Sequence, residues 1–212
     1  MGLETLILIA LLGVSVSMRP WRLLRGSGSA LLTPLFASLT LLPWLWALPR
    51  MHAMPLALQL SGACAVTLML GWPLAVPVLV LVGLLSAIIT PAPVAEIVAQ
   101  IVWFGLVPST LSLGLGVGLR RWFGERPFLY ILGRGFLGTV LCTFAGASLA
   151  LWMGHDIAHT ATALGLVGRW LLAWGDGFMT GMLTAIFVAF KPQWLATWSD
   201  RLYLRRREGN AE

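Results

Sequence analysis

The chain has 212 residues, 58% of them apolar and 10% charged, with a formal net charge of +6. A soluble domain carries about 25% charged residues. With a mean hydropathy of +0.88, this composition excludes a soluble globule, a disordered chain, a disulfide-stapled secreted module and a nucleic-acid binder, because too little polar surface is left to face water.

The remaining solvent is the bilayer. At about 20 residues per spanning helix, seven spans use about two thirds of the chain and leave no room for a second soluble domain. Apolar runs occur at about Leu3 to Met18, Ala30 to Leu48, Leu56 to Leu70, Leu74 to Ile89, Ile97 to Leu119, Phe128 to Met153 and Thr162 to Phe190. The third and fourth are separated only by Gly71-Trp72-Pro73 and are short, so a re-entrant hairpin is an alternative to two crossings. Glu4 precedes the first run and Arg19, Arg22 and Arg25 follow it. That is the reverse of a cleaved signal's charge order, so the run stays as a helix.

Those three arginines, Arg120, Arg121 and Arg126 after the fifth run, and Lys191, Arg201, Arg205, Arg206 and Arg207 after the last make 11 of the 14 basic residues. Seven crossings put all of them on one side, and the positive-inside bias makes that side cytoplasmic. The expected fold is all-α: a polytopic membrane bundle of about seven transmembrane helices, N-terminus outside and C-terminus cytoplasmic. Residues 1–190 form its single domain. In residues 191–212, Leu195, Trp198 and Leu202 recur at helical spacing before Arg205-Arg206-Arg207, which predicts a short interfacial helix with a basic tail on anionic lipid; docking of a cytoplasmic partner is the alternative. Trp21, Trp44, Trp46, Trp72, Trp122, Trp152, Trp194 and Trp198 fall near run ends, the expected place for headgroup-level anchors.

The glycine pairs Gly114-x-x-x-Gly118 and Gly177-x-x-x-Gly181 are expected to bring helix backbones close. Gly133-Arg134-Gly135-Phe136-Leu137-Gly138 spells the dinucleotide-binding fingerprint but lies inside a span, where no strand precedes it and no pyrophosphate enters. Cys64 and Cys142 lie within spans and are expected as small buried hydrophobes, with soft-metal ligation the alternative.

All three histidines fall in connections at the outer face of the seven-span topology. His52 stands in Met51-His52-Ala53-Met54, and His155, Asp156 and His159 stand in Met153-Gly154-His155-Asp156-Ile157-Ala158-His159. Thioether with imidazole suits copper(I), and imidazole with carboxylate suits nickel, cobalt or zinc. His52, His155, Asp156 and His159 are the candidate metal ligands; unassociated loop residues are the bland alternative. Inside the membrane, Arg134, Arg169 and Asp176 are the costly groups. A pair of Asp176 with Arg134 or Arg169 gives either a structural clamp or a substrate or gating site. Glu4 and Glu96 lie near the outer surface and are expected to be solvated. No His-Glu-x-x-His zinc signature is present, and the Gly26-Ser27-Gly28-Ser29 stretch is a loop, so no enzyme is expected.

From Gln59 onward three segments carry a family likeness: Gln59-Leu60-Ser61-Gly62-Ala63 with Leu70-Gly71-Trp72-Pro73-Leu74-Ala75; Arg126-Pro127-Phe128-Leu129-Tyr130-Ile131 with Gly135-Phe136; and Trp174-Gly175-Asp176-Gly177-Phe178-Met179-Thr180-Gly181-Met182 with Lys191-Pro192-Gln193-Trp194. They resemble the membrane permease of cobalt and nickel energy-coupling-factor transporters (CbiM type), especially its short bacterial relatives. The resemblance implies a seven-helix substrate-capturing subunit of the bacterial inner membrane. Such a subunit works with a transmembrane coupling subunit and cytoplasmic ATPases and takes a transition-metal ion as substrate. Metal-binding members begin Met-His-Ile and carry a helix histidine, where this chain has Met1-Gly2-Leu3 and Gln59. The family's ligand set therefore does not transfer, and any metal must use the other histidines. The alternatives are an accessory or assembly subunit that kept the fold, and uptake of a small organic substrate between Asp176 and Arg134.

Overall fold

The computed structural model describes residues 2–26, 30–51, 60–123, 126–154 and 162–198. The helices, in chain order, are α1 (Gly2–Ser17), α2 (Trp21–Gly26), α3 (Leu32–Met51), α4 (Ala63–Leu70), α5 (Trp72–Ile89), α6 (Val94–Phe123), α7 (Leu129–Trp152) and α8 (Thr162–Phe190). α6 carries a π-helical stretch at Ile101–Leu106, and α7 opens with one at Leu129–Leu137.

The polarity is inverted relative to a soluble protein. Leu6, Ile9, Phe36, Leu41, Ile88, Phe178 and Phe190 are exposed, whereas Ser38, Thr67, Ser86, Ser109, Thr139, Asp176, Thr180 and Thr184 are buried. Apolar surface facing outward costs nothing in lipid, and small hydroxylated residues let helices approach while bonding their own backbones. Thr67, Thr139 and Thr184, for example, donate to the carbonyls four residues earlier. Five of the described helices, α3 and α5 to α8, are long and apolar enough to cross a membrane, and α1 adds a shorter apolar helix of 16 residues. The chain folds as a helical membrane bundle.

Among the described residues the expected count of seven is not reproduced. The described part of the third run supplies α4, whose eight residues span about 12 Å, far short of the roughly 30 Å hydrocarbon layer. α4 is preceded by the non-helical stretch 60–62 and separated from α5 by Gly71, whose φ of 77° is in the left-handed region.

Four contacts gather one end of the bundle. The Ser15 hydroxyl donates to Pro73 O at 2.6 Å, and Trp72 Nε1 donates to Thr110 Oγ1 at 3.2 Å. The Ala196 N–H donates to Met69 O at 2.9 Å, and the hydroxyls of Tyr130 and Thr197 lie 2.7 Å apart. Arg19 and Arg22 after α1, Arg120 and Arg121 closing α6, and Lys191 after α8 therefore share one end. At the opposite end the Arg50 guanidinium donates to Ser86 Oγ at 3.1 Å, and Gln100 Nε2 donates to Trp46 O at 3.1 Å.

Several local expectations are corrected. Trp46, Trp72 and Trp198 are buried within the protein rather than exposed as anchors; Trp46 is wholly enclosed in the core between α3, α5 and α6. Gly105 leaves room for it, since a Cβ there would stand 3.0 Å from the indole. Trp21, Trp44, Trp122 and Trp152 are exposed as anchors are. Residues 195–198 are not helical: after the short 3-10 turn Pro192–Trp194 the chain tucks under α4, burying Leu195 and Trp198 against Leu68 and Tyr130, while Leu202 and Arg205-Arg206-Arg207 lie outside the described residues. Glu4 is buried, not solvated, whereas Glu96 is exposed. A Cβ on Gly177 would meet Val140 Cγ2 at 2.4 Å and one on Gly181 would meet Phe136 Cβ at 3.0 Å, so this pair does join α8 to α7; Gly114 and Gly118 have nothing described within 4 Å.

Candidate functional site

The site is built where α4 begins. α8 has 29 residues and Asp176 is the fifteenth, so its carboxyl stands about 21 Å of helix from either end, at the depth where charge is most costly. Asp176 is buried, and its Oδ1 accepts the Gly62 N–H at 3.0 Å. Asp176 Oδ2 is also buried and has no hydrogen-bond partner among the described residues.

Opposite the carboxyl, the backbone of 60–62 leaves helical geometry in the bundle interior. Exposed peptide groups in lipid cost several kcal/mol each, so such a segment persists only where protein satisfies it or where it lines a cavity. Here three elements satisfy it. Ser61 O accepts the Trp46 indole N–H at 3.0 Å. The Ser61 hydroxyl donates to Phe104 O at 2.5 Å, in the π-helical stretch of α6, and accepts the Ala63 N–H at 3.2 Å. Gly62 has φ 62°, and a Cβ on it would lie 2.5 Å from Leu42 Cδ2, so conformation and space both demand glycine. Leu60 packs alongside, its Cδ2 3.5 Å from where a Cβ on Gly175 would stand.

The far end of α4 is tied down as firmly. Its last carbonyls lack intrahelical partners, and the chain beyond α8 supplies them: Ala196 N–H to Met69 O, and the Thr197 hydroxyl to Leu68 O at 2.8 Å. α4 is thus a half-membrane helix, held at its start by Asp176 at mid-depth and at its end by residues 195–198.

Around this helix the intramembrane groups take separate places. Cys64 on α4 and Cys142 on α7 are buried free thiols, and the Cys64 thiol donates to Pro108 O at 3.7 Å. Arg134 is buried in the π-helical start of α7, with its Cζ 5.8 Å from the centroid of the Tyr130 ring. Arg169 donates to the carbonyl of Ala147 on α7. The bond made by Asp176 goes to the backbone just before α4, and the two arginines are placed against α6 and α7.

His52, Gln59, His155, Asp156 and His159 lie outside the described residues. The helices that lead into both histidine-bearing connections, α3 ending at Met51 and α7 at Trp152, finish at the end opposite Arg19, Arg22, Arg120 and Arg121. Among the described residues no group of three His, Cys, Asp or Glu side chains is placed to hold a metal ion. Residue types alone single out Asp176 but not its partner, the Gly62 amide, nor the bonds by which Trp46 and Phe104 hold the neighbouring Ser61. The one available signal was a Ser-Gly pair inside an apolar run, which marks a breaker. No family model, curated protein or solved structure matches the chain.

Proposed function

We propose that the chain is the substrate-capturing membrane subunit of an energy-coupling-factor type transporter for a divalent or soft transition-metal ion, nickel, cobalt, copper or zinc. The observation that supports this reading is the half-membrane helix α4 with its start bonded to Asp176. Broken helices with polar backbone at mid-depth are costly, and membrane transporters place them at substrate and coupling sites. The arginine-rich end is cytoplasmic by the positive-inside bias, which leaves His52, His155, Asp156 and His159 as outer-face ligands. In this reading an ion held by His52 and the second connection is linked through residues 53–61 to Gly62 and Asp176. Capture at the outer mouth then biases the packing of α4 toward the cytoplasmic partner subunit and its ATPases. The membrane is the bacterial inner membrane.

The test is metal analysis of protein purified without an affinity metal. The wild type is expected to retain about one ion per chain, with His52→Ala and His155→Ala each losing it and Asp176→Asn retaining it with altered affinity. Equal metal content in wild type and both histidine variants contradicts the outer site. A second reading, an accessory or assembly subunit that kept the fold, is favoured by Gln59 at the position where the resembled family has a ligand. It expects no metal and a stable protein partner after gentle extraction.

A further inference from the structure

We propose that the cleft between the end of α6 and the start of α7 binds the phosphodiester headgroup of an anionic phospholipid. Gly116, Leu119 and Arg120 line it from α6, and Arg126, Leu129, Tyr130 and Arg134 line it from the other side. Three arginines thus line one small depression, and no carboxylate is among the described residues that line it. Its volume is about 20 Å³, room for one water-sized atom. A phosphodiester therefore sits in the mouth with an oxygen directed inward, and does not bury itself.

The walls are shaped for this. Gly116 has no side chain, and a Cβ there would stand 2.6 Å from Arg134 Cζ, so glycine on α6 is what lets the guanidinium lie between the helices. The Tyr130 ring supports its cationic face, an arrangement that favours charge retention. Arg120 and Arg126 are exposed at the rim. Guanidinium groups bind phosphate oxygens through charge-assisted, paired hydrogen bonds. The only acid in this stretch of sequence is Glu125, against Arg120, Arg121, Arg126 and Arg134, so the local charge stays positive.

The apolar surroundings point to lipid as the source of the phosphate. Trp122 and Phe123 before the connection and Phe128 after it are strongly exposed, and such aromatics favour the headgroup layer. Leu119 and Leu129 give the cleft apolar sides for the glycerol backbone. The hydroxyl contact between Tyr130 and Thr197 sets the cleft at the basic end of the bundle, where anionic lipid would meet it.

The experiment reconstitutes the full chain in nanodiscs and reads thermal unfolding, together with lipid retained on gentle delipidation by mass spectrometry. Phosphatidylglycerol is expected to be retained several-fold over phosphatidylcholine and to raise the unfolding midpoint. The double variant Arg120→Gln/Arg126→Gln, altered only at exposed positions, is expected to bring that ratio close to one. Arg19→Gln/Arg22→Gln, at the same end but outside the cleft, is expected to leave it unchanged. Equal loss in both double variants means general surface charge and overturns the site. Equal stabilisation by millimolar inorganic phosphate in phosphatidylcholine discs assigns the cleft to a soluble anion and overturns the lipid assignment. Unchanged phosphatidylglycerol preference in Arg120→Gln/Arg126→Gln also overturns the proposal.

Discussion

Gly62 and Asp176, 114 positions apart in the chain, are joined by one hydrogen bond of 3.0 Å in which the glycine amide donates to the carboxyl. The bond satisfies a backbone group that lipid cannot, and it fixes the depth at which α4 begins. Removing the acceptor leaves a buried donor unmet, which costs about 1–3 kcal/mol. Asp176→Leu is therefore expected to lower the unfolding midpoint by several degrees, while Asp176→Asn, which keeps a carbonyl oxygen, recovers most of the loss. Equal midpoints for Asp176→Leu and wild type would remove the tie between α8 and α4.

Gly62 carries two separable constraints. A side chain at φ 62° costs roughly 1–2 kcal/mol in backbone strain, and a Cβ also collides with Leu42. Gly62→Ala is expected to destabilise by more than the strain alone. Adding Leu42→Ala is expected to relieve only the collision, giving a non-additive double-mutant cycle. Strict additivity in the thermal unfolding of the four proteins would show that the two residues do not touch.

The two glycine pairs have the same spacing and opposite expected responses. Gly177→Ala meets Val140 and the Phe136 carbonyl and is expected to cost about 1–3 kcal/mol through overpacking. Gly114→Ala meets nothing described and gains up to about 1 kcal/mol of helix propensity. Denaturant or thermal titration in detergent ranks them; the reverse order would mean that α7 and α8 pack differently.

The far end of α4 depends on Thr197. Its hydroxyl donates to Leu68 O and lies 2.7 Å from Tyr130 Oη. Thr197→Val is expected to cost about 1 kcal/mol and to speed proteolysis near the C-terminus. Tyr130→Phe removes only one of the two contacts and is expected to have a smaller effect. Protease resistance unchanged in Thr197→Val would show that residues 195–198 do not secure α4.

Much of this architecture was legible from residue order, and the gaps have physical causes. Long apolar runs gave the five long helices because hydropathy averaged over a span does not depend on partners. The same averaging hid the break at 60–62, where one serine and one glycine are swamped by apolar neighbours. Trp46 and Trp198 looked like anchors because tryptophan suits an interface and a core equally well; only the space left by Gly105 and the contact with Tyr130 separate the two cases. Asp176 stood out by its cost in lipid, but its partner is a backbone amide, and no side-chain pattern announces that. The histidine segments stand out by residue chemistry alone.

The claim on which the rest depends is that both histidine-bearing connections open on the side opposite the arginines. Single cysteines introduced as His52→Cys, His155→Cys, Arg22→Cys and Arg120→Cys, labelled in intact cells with a membrane-impermeant thiol reagent, test it directly, since native Cys64 and Cys142 are buried. Labelling of positions 52 and 155 from outside, with 22 and 120 reacting only after permeabilisation, is the expected result. Positions 52 and 155 reacting from opposite sides of the membrane would contradict the account.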